Sequence, residues 1–259
     1  MILFLRSALF NAGFFLITAT LAAIFLPLLL GPPRLMRRYM RQLGRLLIWW
    51  MRVTAGIALE VTGAEHLPRE GEAALIAGNH QSAFDTIVWF WLVPDVCYVM
   101  KRELFWLPLY GWWAKRSGHI GVDRDGSSQT MRRLMKDGKR AAEAGRQLVI
   151  FPEGTRAAPG EMLPLQPGIA ALAAATRLPV IPAATNSGDH WGRRRFLRPP
   201  GTIRIRVLPP LPPRLPKEVM LQRLEAALAE AMPRGPWPSS PDAMTPEAAP
   251  APYGGEGRT

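Results

Sequence analysis

A histidine and an aspartate five positions apart, His80 and Asp85, are the residues of this chain best suited to proton transfer. A carboxylate that holds one nitrogen of an imidazole fixes the tautomer of the ring, and the other nitrogen can then take a proton from a bound hydroxyl. Because only side chains three or four positions apart share a face of a helix, the pair must straddle the start of a helix. The spacing therefore predicts a general base at a strand-to-helix junction.

The residues around this pair predict the junction itself. Residues 73–77 are an apolar run typical of a buried strand, and residues 83–93 are apolar nearly all round, as in a buried helix. Ser82 is the predicted N-cap of that helix, and helical side chains lean toward the N-terminus, which directs Asp85 toward His80. On this motif alone, a helix-capping carboxylate beside a structural histidine remains the alternative.

Other predicted strands end in polar residues that suit an anionic ligand. Residues 148–150 precede a Phe-Pro-Glu-Gly-Thr-Arg motif, in which Gly154 lets the backbone approach a ligand and Arg156 can hold a phosphate through two hydrogen bonds. Lys101 and Arg124 follow two more apolar runs. A turn with a solvated arginine or a surface ion pair explains each motif taken separately. Together these cations predict a site for a phosphorylated hydroxyl compound at one edge of a sheet.

The N-terminal segment is apolar enough to bind a membrane. Residues 8–30 contain Asn11 as their only strongly polar side chain, and these 23 residues would form a helix of roughly 34 Å, enough for a hydrocarbon core. After a Gly-Pro-Pro break, arginines interleave with apolar residues over positions 34–52, as in an amphipathic interfacial helix. These arginines predict that the remaining chain lies on the cytoplasmic face of the inner membrane. A cleaved signal peptide is the alternative, and the pattern does not separate a spanning helix from a hairpin in one leaflet.

Charge and composition narrow the classes of partner and cofactor. The formal net charge of +12 suits an anionic bilayer, a nucleic acid or a phosphorylated substrate. Since the basic residues cluster near the apolar N-terminus, we expect lipid and no nucleic acid. Cys97 is the only cysteine, which excludes an intramolecular disulfide, and it is a predicted core residue. The four histidines lack the spacing of metal ligands, so we expect no metal and no cofactor.

Beyond residue 55, short β-type runs alternate with helical patterns, which predicts an α/β fold with a mixed central sheet flanked by helices. A helix over residues 128–144 starts at Ser127 or Ser128 and stops at Gly145. The chain divides into membrane-anchoring helices at 1–55, a catalytic domain at 56–232 and a disordered Pro-rich tail at 233–259. The predicted strands are residues 57–62, 73–77, 96–100, 119–122, 147–151, 180–184 and 202–208.

Five short motifs occur in the order and rough spacing of the glycerolipid acyltransferase family, which the chain resembles over about residues 57–210. One departure is Gly121, which stands where the family usually has a larger apolar residue and puts the packing below that motif in question. The motifs are Asn-His-Gln-Ser-Ala-Phe-Asp at 79–85, Lys-Arg-Glu-Leu at 101–104, Gly-His-Ile-Gly-Val-Asp-Arg at 118–124, Phe-Pro-Glu-Gly-Thr-Arg at 151–156 and Val-Ile-Pro-Ala at 180–183.

The resemblance implies a reaction and a role for each matching residue. His80, oriented by Asp85, would take the proton from the free sn-2 hydroxyl of lysophosphatidic acid, and the oxygen would attack an acyl thioester to give phosphatidic acid. The partners implied are a lysophospholipid, acyl-CoA or acyl carrier protein as thioester donor, and a phospholipid membrane. The acceptor would be held by Lys101, Arg124, Glu153, Gly154, Thr155 and Arg156, and the acyl-donor side would be shaped by Val180, Ile181 and Pro182.

Alternatives remain for the acceptor and for the reaction. The same chemistry could act on glycerol 3-phosphate, a lyso-ornithine lipid or another lysophospholipid. Water as the acceptor would make the chain a hydrolase, and a non-catalytic lipid-binding protein could use the same fold. The chain has no Gly-x-Ser-x-Gly motif, so a covalent acyl-enzyme is not expected.

Overall fold

The computed structural model describes residues 1–123, 127–232, 237 and 243–245. Seven strands form one sheet in the order β1-β7-β6-β2-β5-β3-β4. All neighbours in this sheet are parallel except β6 and β7, so the predicted mixed α/β sheet is confirmed. The strands are β1 Ile57–Thr62, β2 Ala74–Gly78, β3 Val96–Lys101, β4 Ile120–Val122, β5 Gln147–Ile150, β6 Val180–Thr185 and β7 Gly201–Val207.

Helices cover both faces of the sheet because side chains alternate along each strand. Ile76 packs into the core below α1, α2 and α3, whereas its neighbour Leu75 packs into the core below α5, α6 and α8. A π-helical turn, Met51–Ala55, continues α2. The helices are α1 Ile2–Ile24, α2 Pro33–Trp50, α3 Asp85–Leu92, α4 Tyr110–Arg116, α5 Ser128–Glu143, α6 Gly168–Thr176, α7 Ser187–His190 and α8 Lys217–Ala231.

The register of two central strands brings two of the sequence motifs together. Strands β2 and β5 are parallel neighbours, with Ala77 opposite Ile150. His80 and Glu153 each follow three positions later, so they leave the same edge of the sheet side by side. This is the carboxyl edge of the parallel strands, where α/β proteins bind their ligands.

The start of α3 differs from the prediction. Ser82 is not its N-cap: the helix begins at Asp85, and the Ser82 hydroxyl accepts a hydrogen bond from the backbone N–H of Phe84 over 2.9 Å. A short hydroxyl side chain that bonds the backbone two residues later closes a local turn, which competes with the helix. The predicted N-cap of α5 is confirmed, because the Ser127 hydroxyl accepts the N–H of Thr130.

The first helix packs along the domain. Helix α1 is long and apolar enough to cross a membrane by length and composition. One side nevertheless enters the core: Phe10 is 0% exposed, and its ring meets the edge of Trp191 with centroids 4.8 Å apart. This packing disfavours removal of α1 as a signal peptide.

The apolar stripe of α2 is buried inside the protein. This stripe packs toward α3 and the C-terminal half of α1, which corrects the expectation that this face enters the lipid. Arg37 on the polar side pairs with Asp95 over 2.9 Å, and Asp95 also pairs with Arg146 over 3.0 Å. The buried residues of α2 are Met36, Tyr39, Met40, Leu43, Gly44, Leu47 and Ile48.

Two remaining predictions concern the edges of the fold. Gly121 in β4 leaves space for an aromatic ring, because a Cβ there would lie 2.4 Å from the ring of Phe105. In the predicted tail, Met244 pairs with Val61 of the edge strand β1 through two backbone hydrogen bonds of 2.9 and 2.7 Å. Most of positions 233–259 lie outside the described residues, so disorder there stays a prediction.

Candidate active site

The predicted contact between the histidine and the aspartate is present. His80 Nδ1 lies 2.9 Å from Asp85 Oδ2, with the two side chains 12% and 2% exposed. The same carboxylate oxygen accepts the backbone N–H groups of Gln81 and Ser82 over 2.7 and 2.8 Å. Because an ionised carboxylate only accepts hydrogen bonds, the arrangement assigns the proton to Nδ1 and the free lone pair to Nε2.

Further contacts hold the imidazole and its backbone. The ring of His80 stacks on Phe151, with centroids 4.2 Å apart and an interplanar angle of 17°. The backbone N–H of His80 donates to Glu153 Oε2 over 2.9 Å, and its carbonyl accepts from the N–H of Ala157 over 2.8 Å. His80 is therefore fixed by both motifs at this edge of the sheet.

Glu153 is a buried carboxyl group directly beside His80. Its Oε2 accepts the backbone N–H of His80, and the backbone N–H of Leu163 also favours the charged carboxylate. Its Oε1 is buried and has no hydrogen-bond partner among the described residues. Burial raises the pKa of Glu153 to about 7, because desolvation disfavours the charged form more than the two N–H donors favour it. This carboxyl group therefore titrates near neutral pH.

The side chain of Arg156 contacts the second ring nitrogen of His80. Its Nε–H donates to His80 Nε2 over 3.3 Å. Burial lowers the pKa of Arg156, and the charge of Asp85 opposes that shift. Gly154, two positions earlier, has a φ of 68°, in the left-handed region that glycine adopts without steric cost, and Thr155 is exposed beside it.

Of the two other predicted cations, only Lys101 lies among the described residues. Lys101 is exposed at the end of β3, and its side chain forms no hydrogen bond or ion pair with the part of the chain that the structure describes. Arg124 lies outside the described residues. Its neighbour Asp123 forms an ion pair with Arg102 over 2.7 Å, as expected for that motif. The roles of both cations at the acceptor phosphate stay predictions.

The residues predicted to shape the acyl-donor side form the buried strand β6. Val180 packs into the core below α5, α6 and α8, Ile181 packs into the opposite core, and Pro182 is also buried. Any influence of these three residues on an acyl donor would act through their support of the neighbouring strands. Their predicted role is not tested by this packing.

Two side chains that the motif analysis left without a role hold the loop that carries His80. Asn79 binds Thr185 twice: its Nδ2 donates to the carbonyl over 3.0 Å, and its Oδ1 accepts the N–H over 2.7 Å. Gln81 Oε1 accepts the N–H of Gly188 over 3.1 Å. The partners lie more than 100 positions away in the chain, so no local pattern could have revealed these bonds.

Two more residues lie close enough to Arg156 to affect its pKa. Arg193 lowers the pKa of Arg156 through like-charge repulsion, whereas Tyr110 raises it. Trp191 packs near Phe84 of the first motif, with ring centroids 6.4 Å apart, and so places the loop that carries Arg193 beside the site. A run of three arginines at 193–195 was the signal in the sequence. Within the described ranges, no group of three or more His, Cys, Asp or Glu residues could hold a metal ion.

Comparison with known proteins assigns the chain to a class. Residues 58–186 match the family model described as Acyltransferase. The chain belongs to this family, and it is an acyltransferase. It is 35% identical over 193 residues to the 1-acyl-sn-glycerol-3-phosphate acyltransferase of Pseudomonas aeruginosa, an alignment that covers 73% of this chain and 74% of the relative.

Relatives from plants and animals carry the same description. A 1-acyl-sn-glycerol-3-phosphate acyltransferase of Limnanthes alba is 32% identical over 203 residues, which covers 76% of this chain and 69% of that protein. The alpha form from Mus musculus is 33% identical over 171 residues, or 64% and 59% of the two chains. The crystal structure of the 1-acyl-sn-glycerophosphate acyltransferase from Thermotoga maritima superposes with a TM-score of 0.72 at 20% identity, covering 88% of this chain and 95% of that one. This last similarity confirms the fold.

Proposed function

We propose that the enzyme transfers an acyl chain from an acyl thioester to the free sn-2 hydroxyl of lysophosphatidic acid, which gives phosphatidic acid. The observation that carries this proposal is the 2.9 Å contact between His80 and Asp85 with Arg156 beside the opposite ring nitrogen. A base and a phosphate-binding cation in contact suit an acceptor that carries both a hydroxyl and a phosphate. The names of the relatives support the same acceptor.

The proposed reaction needs no covalent intermediate. His80 Nε2 removes the hydroxyl proton as the lipid oxygen forms a bond with the thioester carbon, and Asp85 stabilises the resulting imidazolium. The carbon–sulfur bond then breaks, and the leaving thiolate recovers the proton from His80. Cys97 is buried, and burial raises its pKa to about 11, so it is not an attacking thiolate in this mechanism.

Residues around the base hold the acceptor in this proposal. Arg156 binds the phosphate through its guanidinium, and Gly154 and Thr155 line the same loop. Lys101 and Arg124 supply further positive charge from their strand ends. Glu153 supports the backbone of His80, and the strand with Val180, Ile181 and Pro182 lies below the acyl-donor side. The donor is acyl-CoA or acyl carrier protein, without a metal or cofactor.

The site is proposed to work at a membrane surface. Helix α1 exposes large apolar side chains, such as Phe15 at 68% and Leu16 at 67%, on the side that does not pack on the domain. Lipid would cover this side, because burying it in hydrocarbon is favourable. The arginines of the following segment support a position of the domain on the cytoplasmic face of the inner membrane.

The direct test is acyl transfer by the purified full-length chain in mixed micelles. Labelled acyl-CoA and acyl carrier protein are each offered with lysophosphatidic acid, glycerol 3-phosphate, a lyso-ornithine lipid or no acceptor. We expect phosphatidic acid as the main product. Thioester consumption that does not need an acceptor would show a hydrolase instead, and a preferred second acceptor would replace the proposed one.

Substitution of the base tests the mechanism in the same assay. His80→Ala is expected to lower turnover by about 10² to 10⁴-fold, the usual contribution of a general base. Asp85→Asn keeps an oxygen for the loop N–H groups but loses the charge, so we expect a loss of up to about 10⁴-fold. His66→Ala, on a separate short helical turn, is the matched control. Near-normal turnover by folded His80→Ala would contradict the assignment.

A further inference from the structure

The second ring nitrogen of His80, which does not contact Asp85, has a partner of its own inside the protein. Nε2 of His80 accepts the hydrogen bond from Arg156 Nε over 3.3 Å. A neutral imidazole nitrogen has a single lone pair, and the proposed reaction needs that lone pair to accept the proton of the lipid hydroxyl. The bond to Arg156 and the reaction therefore exclude one another. One of the two side chains must move before acyl transfer.

The contacts indicate that Arg156 is the side chain that moves. His80 is held by the carboxylate of Asp85, by the stack on Phe151 and by backbone bonds on both sides. Arg156 is half-buried, and its bond to His80 is its only hydrogen bond within the described part of the chain. Its two terminal nitrogens remain available to another ligand.

A phosphate group is the ligand that can draw Arg156 away. Hydrogen bonds between a guanidinium and an anion are roughly twice as strong as those to a neutral acceptor. The guanidinium also matches two phosphate oxygens at once, which an imidazole cannot offer. Arg193 lies nearby with the same charge, so an anion between the two cations relieves their repulsion.

We propose that Arg156 makes the base available only to acceptors that carry a phosphate. A phosphorylated lipid withdraws the guanidinium from His80 Nε2 and frees the lone pair, whereas an acceptor without phosphate leaves the bond in place. This inference rests on the acyl transfer proposed above and assigns Arg156 a second role, as a specificity-determining residue. A simple phosphate-binding arginine would affect binding alone.

Neutral acceptors separate the two roles of Arg156 in acyl transfer. With monoacylglycerol as acceptor, Arg156→Met removes every donor but keeps a stem of similar length, and we expect turnover to rise about 3- to 10-fold, the range for one lost hydrogen bond. Transfer to lysophosphatidic acid falls in the same variant. Inorganic phosphate raises monoacylglycerol turnover by the unsubstituted chain but not by Arg156→Met. Arg177→Gln, at the exposed end of α6, is the control for loss of a cation.

Chemical modification of the ring tests the idea without an acceptor. Diethyl pyrocarbonate reacts with a free imidazole lone pair, and mass spectrometry measures its rate at His80 relative to His66 in the same full-length chain. We expect Arg156→Met and Arg156→Ala to raise this ratio about 3- to 10-fold. Inorganic phosphate raises the ratio in the unsubstituted chain, since it has no glycerol arm that could cover the ring.

Opposite results would overturn the inference. An unchanged ratio in both variants, protection of His80 by inorganic phosphate, or no gain in monoacylglycerol turnover would show that Arg156 does not limit the base. Normal transfer to lysophosphatidic acid together with any of these results would leave the proposed function in place. Loss of acyl transfer from the unsubstituted chain would instead refute the function, while the modification rates would still decide the role of Arg156.

Discussion

One carboxylate oxygen of Asp85 holds both the ring of His80 and the backbone of the loop beside it. Its Oδ2 accepts three hydrogen bonds, from the ring of His80 and from the backbone of Gln81 and Ser82. Its Oδ1 is buried and has no hydrogen-bond partner among the described residues. A buried charged oxygen without a partner costs free energy, and such costs are concentrated at functional sites. The charge thus remains available to stabilise an imidazolium.

Glu153 leads to a prediction about pH at this scale. Its pKa is about 7 in the folded chain against an ordinary value of 4.5, so the unfolded carboxyl group loses its proton at lower pH. The free energy of unfolding should therefore fall as pH rises from about 4.5 to 7 and then level off, with an upper bound of about 3 kcal/mol.

Glu153→Gln isolates this effect, because the amide oxygen can still accept both backbone N–H groups and has no proton to release. We expect the variant to lose most of the stability difference between pH 5 and pH 8, measured by urea unfolding in detergent. Equal pH dependence in the two proteins would show that another group is responsible.

The elements place the site through strand register and close packing. Parallel strands β2 and β5 deliver the two main motifs to one edge, and β3 delivers Lys101 to the same edge one strand further along. Next to β3, the short strand β4 has Gly121 under the ring of Phe105. The glycine that departs from the family pattern is thus explained by an aromatic ring in the space of the larger residue.

Gly121→Ala is the test of this packing. Its new Cβ would lie 2.4 Å from the Phe105 ring, so the ring must move, and we expect a loss of about 1 to 3 kcal/mol in the free energy of unfolding. Gly168→Ala is the matched control, because its Cβ meets only ordinary contacts at 3.9 and 4.0 Å. Phe105→Leu should restore part of the loss, and additive effects of the two changes would contradict the contact.

At the scale of the whole molecule, the apolar N-terminal helix belongs to the folded domain. Phe10 packs with Met51 and Trp191 in the same core as the sheet, while the opposite side of α1 is exposed. The proposed membrane anchor and the catalytic domain therefore form one cooperative unit. Deleting α1 would expose this core.

A pair of substitutions on α1 separates its two sides. Phe10→Ala removes a fully buried ring, and we expect a loss of about 3 to 5 kcal/mol in the free energy of unfolding. Phe15→Ala changes a ring that is 68% exposed, so stability in detergent should change little while binding to phospholipid vesicles weakens. Equal destabilisation by both substitutions would show that α1 does not pack as described.

Contacts between residues close in the chain could be predicted from the sequence, whereas contacts between distant segments could not. The contact of His80 with Asp85 spans five positions and follows from helix geometry, so it could be predicted. The bonds of Asn79 to Thr185 and of Gln81 to Gly188 join segments more than 100 positions apart, and no local pattern encodes them. The N-cap at Ser82 was wrong because a local turn competed with the helix.

Local patterns of residues were enough to predict the mixed α/β fold, the contact between His80 and Asp85, the apolar N-terminal helix and the family. These features depend on neighbours in the chain, where periodicity and spacing act directly. Only the tertiary structure determined that Arg156 contacts His80, that the pKa of Glu153 lies near 7 and that α1 packs into the core. Each of these depends on burial and on contacts between distant strands, which exist only once the sheet has formed.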